Sequence, residues 1–168
     1  ALRGPALLDA CMHAARTTGS ILFVIAAAGL FGWLLAYLEV PAAAVEFLRA
    51  IASEPLTVLL MIVIALLLLG TFMDLAPLIL ICTPIFLPVA KAYGIHPIHF
   101  GVVMILAGGI GLITPPVGSV LFVGAAIGRI EIAQTLRTIW PFYGASALVL
   151  LLVALFPALS LWLPAALK

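Results

Sequence analysis

The chain has 168 residues, 67% of them hydrophobic and 8% charged, with a formal net charge of +1 and a mean hydropathy of +1.42. Soluble domains run at roughly 45 to 50% apolar and about 25% charged, so this is the composition of an integral membrane protein. Seven scattered Lys and Arg cannot build the basic face that nucleic acid needs, which excludes that class of partner.

The chain opens Ala-Leu-Arg, without an initiator Met and without the basic, apolar and small-residue order of a signal peptide, and reads as trimmed or partial. Residues 3 to 18 carry Arg3, Asp9, His13 and Arg16, which suits a helix at the membrane interface or one running on into the next span. Ser20 to Leu38 makes a first span, loosened by Gly29 and Gly32, with Trp33 and Tyr37 where an aromatic belt would lie. Residues 1 to 54 form a scaffold unit closed by a short amphipathic arm, Ala42 to Glu54, bearing Glu46, Arg49 and Glu54.

Pro55 to Ala90 is apolar except for Asp74 and is far too long for one helix. Gly70 to Asp74 divides it into two arms of 16 residues. At 1.5 Å per residue each arm reaches about 24 Å, against roughly 30 Å of hydrocarbon, so the pair reads as a re-entrant hairpin. Gly70 suits a helix C-terminus and Asp74 an N-cap, with Pro77 in the first turn, where a proline loses little. Asp74 also reads as an ion site, because burying its charge costs about 2.5 to 3.5 kcal/mol even on a mild insertion scale.

Lys91 to His99 makes a short external loop, and its histidines, His96 and His99, lack a third ligand for a metal. Residues 91 to 128 then give a transmembrane helix broken at Gly109-Ile110-Gly111-Leu112-Ile113-Thr114-Pro115-Pro116-Val117-Gly118. Irregular backbone at membrane depth is tolerated only where protein or a water-lined cavity covers it. Thr114 reads as the cap of a second half-helix with Pro115 in its first position, and a plain packing kink is the alternative. Residues 129 to 168 supply a second amphipathic arm with Arg129, Glu131 and Arg137, then a final span over Trp140 to Leu163 with Pro157 late in it. Arg3, Arg16, Arg129 and Arg137 fall on one side of this topology and Arg49, Lys91 and Lys168 on the other, placing the second arm in the cytoplasm and the hairpin entrance outside.

A helix that stops at membrane depth presents bare carbonyls that suit a cation, and one that starts there presents N–H groups that suit a carboxylate. Two breaks facing each other would therefore hold an ion and an organic anion without catalytic side chains. The candidate site residues are Gly70, Thr71 and Asp74 at the hairpin tip and Gly109, Gly111, Thr114, Pro115, Pro116 and Gly118 at the break. Carbonyls near Gly70 and from Gly109 to Gly111 would face the cation, and N–H groups after Asp74 and Pro116 would face the anion. Cys11 and Cys82 have no CxxC spacing, and no hydrolase, metalloprotease or nucleotide-binding motif is present, so the chain reads as a non-enzyme with no resident metal or cofactor.

Several blocks together resemble a known family. They are Gly70-Thr71-Phe72-Met73-Asp74, Thr83-Pro84-Ile85-Phe86-Leu87-Pro88, Gly94 to Gly101, Gly111-Leu112-Ile113-Thr114-Pro115-Pro116-Val117-Gly118, Pro141-Phe142 and Phe156-Pro157. They resemble the C-terminal part of the large membrane subunit of TRAP (tripartite ATP-independent periplasmic) transporters. The resemblance implies an all-α integral membrane fold with one re-entrant hairpin and one discontinuous helix, forming one repeat of an elevator-type transporter. It implies sodium-coupled uptake of an organic acid of the C4-dicarboxylate or sialic acid type across the bacterial inner membrane. The implied partners are a small membrane subunit, a periplasmic binding protein and an N-terminal repeat of the same permease. Many relatives carry Asn shortly before the Thr-Pro-Pro block where this chain has Ala107-Gly108-Gly109, which shifts ion coordination onto backbone carbonyls. A citrate- or arsenite-type transporter or exchanger of the same broad fold, or a structural membrane subunit, are the competing readings.

Overall fold

The computed structural model describes residues 4–115, 118–128 and 132–167. These form eight α-helices: α1 (Gly4–Tyr37), α2 (Val40–Ile51), α3 (Pro55–Phe72), α4 (Leu75–Ala92), α5 (Pro97–Ile113), α6 (Ser119–Gly128), α7 (Ile132–Leu155) and α8 (Ala158–Ala166). Among the described residues, four helical stretches, Leu7–Tyr37, Pro55–Phe72, Leu75–Ala92 and Thr138–Leu155, are long and apolar enough to cross a membrane. The chain is accordingly a multi-pass, all-α membrane protein.

The most extensive packing joins α3 to α5, with α4 against both. On α3 the buried residues Val58, Leu59, Ile62, Val63 and Leu66 recur at helical spacing, and on α5 Phe100, Val103, Met104 and Ala107 do the same. Leu78, Cys82, Val89 and Ala90 of α4 close this core, joined by Leu150 and Ala154 of α7. Carried one turn further, the α3 stripe reaches Gly70 and the α5 stripe reaches Gly108 and Gly111. Small residues at a membrane-helix interface let backbones approach, so the two helices converge toward the hairpin tip.

Helix α1 is exposed along most of its length, and α2 buries no residue fully. The α1 residues turned inward, Ala28, Gly32 and Leu35, lie at i, i+4 and i+7, and Gly32 seats the Pro84 ring of α4, which would lie 3.5 Å from a β-carbon there. Helix α4 ends in a Schellman motif, in which Ile95 N–H donates to Ala90 O at 2.9 Å and Gly94 N–H to Lys91 O at 3.0 Å, with Gly94 at φ +75°. Beside it, the Tyr93 hydroxyl donates to Ala52 O at 3.1 Å and ties the α2–α3 corner to the open end of the hairpin.

Several expectations change. Of the two readings of the segment before Ser20, the one that runs on into the first span holds: residues 4 to 18 belong to the continuous α1, where Thr17 and Ser20 satisfy their hydroxyls on His13 O and Arg16 O of their own helix. Each hairpin arm has 18 residues rather than 16, because α3 runs two residues past Gly70 and α4 two past Ala90. At about 27 Å, arm length alone is compatible with a full crossing. Pro157 does not sit within a continuous last span: it lacks the N–H that would continue the α7 ladder, and the chain divides there into α7 and α8. The second amphipathic arm falls in part on Arg129 and Glu131, outside the described residues.

His99 is the other correction. It is no surface-loop residue but sits in the first turn of α5, 3% exposed, with Nδ1 2.8 Å from Ser160 Oγ on α8. Ser160 Oγ also lies 3.0 Å from Pro157 O, to which its hydroxyl donates, so the hydroxyl links the His99 ring to the start of α8. His96 caps α5 instead, its Nδ1 accepting from Ile98 N–H at 3.2 Å.

Candidate functional site

The hairpin tip and the break in the α5–α6 segment meet. A β-carbon added at Gly111 would lie 2.7 Å from Gly70 Cα and 2.9 Å from Leu67 O, so the two backbones touch with no side chain between them. One residue beyond Gly70, Thr71 is 6% exposed, and its carbonyl accepts the N–H of Gly118 at 3.2 Å. That bond runs directly from one interruption to the other.

Consecutive prolines explain why α5 stops. The carbonyls of Gly111 and Leu112 would be served four residues on by Pro115 and Pro116, neither of which has an N–H. Thr114 repairs part of the loss, donating its N–H to Gly111 O at 2.9 Å and its hydroxyl to Ile110 O at 2.7 Å. Thr114 is therefore the C-cap of α5, not the N-cap of α6, which restarts only at Ser119. A proline also biases the residue before it away from the helical region, so Pro115 cannot open α6 when Pro116 follows. Gly118 turns the chain at φ +43°.

Several carbonyls at this junction accept no hydrogen bond from another described residue. Among them are Leu112 O, where the donors three and four residues on are both prolines, and Gly70 O, since the Met73 N–H goes to its neighbour Leu69 O. Thr71 directs its hydroxyl back to Leu68 O at 2.7 Å. A cavity of about 660 Å³ opens beside the junction, lined by Thr71, Phe72, Ile110, Thr114 and Pro115 together with Leu136, Trp140 and Tyr143 of α7.

Of the nine residues chosen from sequence, Gly70, Thr71, Gly111, Thr114, Pro115 and Gly118 converge here. Gly109 points elsewhere, with nothing within 4 Å of where its β-carbon would be. Its neighbour Gly108 occupies the contact instead, beneath Leu75 and Leu78 of α4. Asp74 is exposed and caps α4 through Leu75 N–H at 2.9 Å, and it lines a separate cavity of about 430 Å³ against Ser20, Ile21 and Val24 of α1. Pro116 lies outside the described residues. Gly70 is not a helix terminus but lies within the last turn of α3. The contribution of α7 went unread in the sequence: the Tyr143 hydroxyl donates to Ile113 O, the last carbonyl of α5, and its signal was Trp140 and Tyr143 flanking Pro141.

A family model described as "Tripartite ATP-independent periplasmic transporter, DctM component" matches residues 4–159. The chain belongs to the DctM family. Among curated relatives, the C4-dicarboxylate TRAP transporter large permease protein DctM of Pseudomonas aeruginosa is 37% identical over 153 residues, covering 91% of this chain and 36% of its own length. The sialic acid TRAP transporter large permease protein SiaM of Vibrio cholerae is 38% identical over 148 residues, 88% of this chain and 35% of its own. An uncharacterized protein, YgiK, of Salmonella typhimurium is 39% identical over 158 residues, 94% and 36% respectively. The chain thus spans about a third of the length of the curated relatives it matches. The DctM relatives named for a function are permeases, not enzymes.

Proposed function

We propose that this DctM chain supplies half of the ion and substrate site of a TRAP permease that takes up an organic acid with sodium across the bacterial inner membrane. The observation that carries the reading is the Gly118 N–H to Thr71 O bond, which supports treating the hairpin tip and the helix break as one site. Sodium binds at the carbonyl ends of α3 and α5, with Gly70 O and Leu112 O as donors, since carbonyl ends carry partial negative charge. A substrate carboxylate faces the first-turn N–H groups of α6, where the opposite partial charge lies. Asp74 serves as a cap at the α4 terminus rather than as an ion ligand.

The hairpin is re-entrant in this reading. Its tip meets the end of α5, while the ten residues of α6 continue about 15 Å further in the same broken span. The substrate belongs to the organic acids named for the relatives, and a small membrane subunit, a binding protein and the other repeat of the permease complete the machine. Elevator movement of the hairpin with the broken helix completes the cycle.

Thr114→Val tests the reading in a reconstituted complete complex. Losing the hydroxyl's bond to Ile110 O frees the α5 terminus, and sodium affinity for uptake is expected to fall about fivefold to tenfold, the worth of one hydrogen bond. Unchanged uptake and unchanged sodium affinity refute the assignment. A citrate- or arsenite-type exchanger would transport without a binding protein, whereas the proposed permease requires one.

A further inference from the structure

The peptide unit joining Ile113 to Thr114 is held at both of its ends. Its N–H donates to Gly111 O at 2.9 Å, and its C=O accepts the hydroxyl of Tyr143, thirty residues further along the chain on α7. Because a peptide unit is planar, fixing both ends fixes its plane. The adjoining unit carries Leu112 O, the carbonyl that the two prolines leave without a local donor, and with its neighbour held it keeps only the rotations about the Ile113 α-carbon. Trp140 meets the Tyr143 ring edge-on, with centroids 6.0 Å apart and planes at 82°, and so holds the ring in place.

We infer that Tyr143 is a positioning residue for the ion site: from α7 it clamps the end of α5 and aims Leu112 O at the cation. This rests on the sodium reading above. A carbonyl free to rotate in the last turn of a helix spends its time on water and must be ordered when the ion arrives. One that is already aimed binds more tightly, since the ordering cost has been removed in advance.

The test is thermal stability of the purified complete permease, titrated with sodium chloride at constant ionic strength against potassium chloride. Sodium stabilises the wild type in proportion to its binding. Tyr143→Phe is expected to raise the half-saturating sodium concentration about fivefold to tenfold, a readout that a purely structural hydroxyl would not move. A Phe variant that melts earlier without sodium yet keeps the wild-type half-saturation overturns the inference and leaves the sodium reading standing. A wild type indifferent to sodium overturns both. If the Phe variant does not fold, Trp140→Leu decides: Trp140 is 70% exposed, and its loss lets the Tyr143 ring turn without removing the hydroxyl. Weakened sodium binding supports the clamp, and wild-type binding overturns it.

Discussion

Gly109 and Gly111 are two residues apart in the same helix, and replacing each by Ala separates packing from propensity. Both substitutions gain roughly 0.8 to 1 kcal/mol of intrinsic helix preference. At Gly109 nothing lies within 4 Å of the new methyl, so that gain stands. At Gly111 the methyl would meet Gly70 Cα at 2.7 Å, Gly70 C at 2.9 Å and Leu67 O at 2.9 Å. All three are backbone atoms with no rotamer to escape into, so α3 and α5 must separate by several tenths of an ångström, at an overpacking cost of about 1 to 3 kcal/mol. The same separation stretches the Gly118 to Thr71 bond, already 3.2 Å. The Gly111 variant should therefore be less stable than the Gly109 variant by about 1 to 3 kcal/mol, since the propensity gain is common to both. Thermal and denaturant unfolding in one detergent, comparing the two variants directly, measures that difference. Equal stability of the pair would refute the claim that the hairpin tip and the break are in backbone contact.

Gly118→Ala places a β-carbon on a residue at φ +43° and 3.2 Å from Thr114 O, and should cost about 1 to 2 kcal/mol in the same unfolding assay. Ser160→Ala removes the partner of the buried His99 Nδ1 and should cost about 1 to 3 kcal/mol, with Ser160→Thr, which keeps the hydroxyl, losing less.

Much of the hairpin and the break was legible in the residues because backbone chemistry dictates them. Pro115 and Pro116 remove two ladder donors whatever surrounds them, and Asp74 accepts from the helix it precedes. The exact ends were less legible, because they depend on a competition that the sequence does not decide. Thr114 could cap backward or forward, and its hydroxyl went to Ile110 O, while α3 outran Gly70 because that glycine was needed for close approach, not for a left-handed turn. His99 was misplaced for a related reason: its partner, Ser160, lies 61 residues away on a helix that exists only because Pro157 ends α7. Tyr143 likewise acts across the fold, and periodicity within α7 cannot show which of its faces meets the end of α5.

The bare glycine contact between α3 and α5 also bears on motion. With no side chains between Gly70 and Gly111 there is nothing to slide or repack, and the Gly118 to Thr71 bond pins the strip beyond it. In the proposed transport cycle the tip and the interrupted helix would then move as one piece, with flexing expected at the hairpin's open end, where Gly94 and the Pro157 division offer joints. Amide exchange should divide along the same line, with the amides at the glycine contact protected together while those around Gly94 open independently.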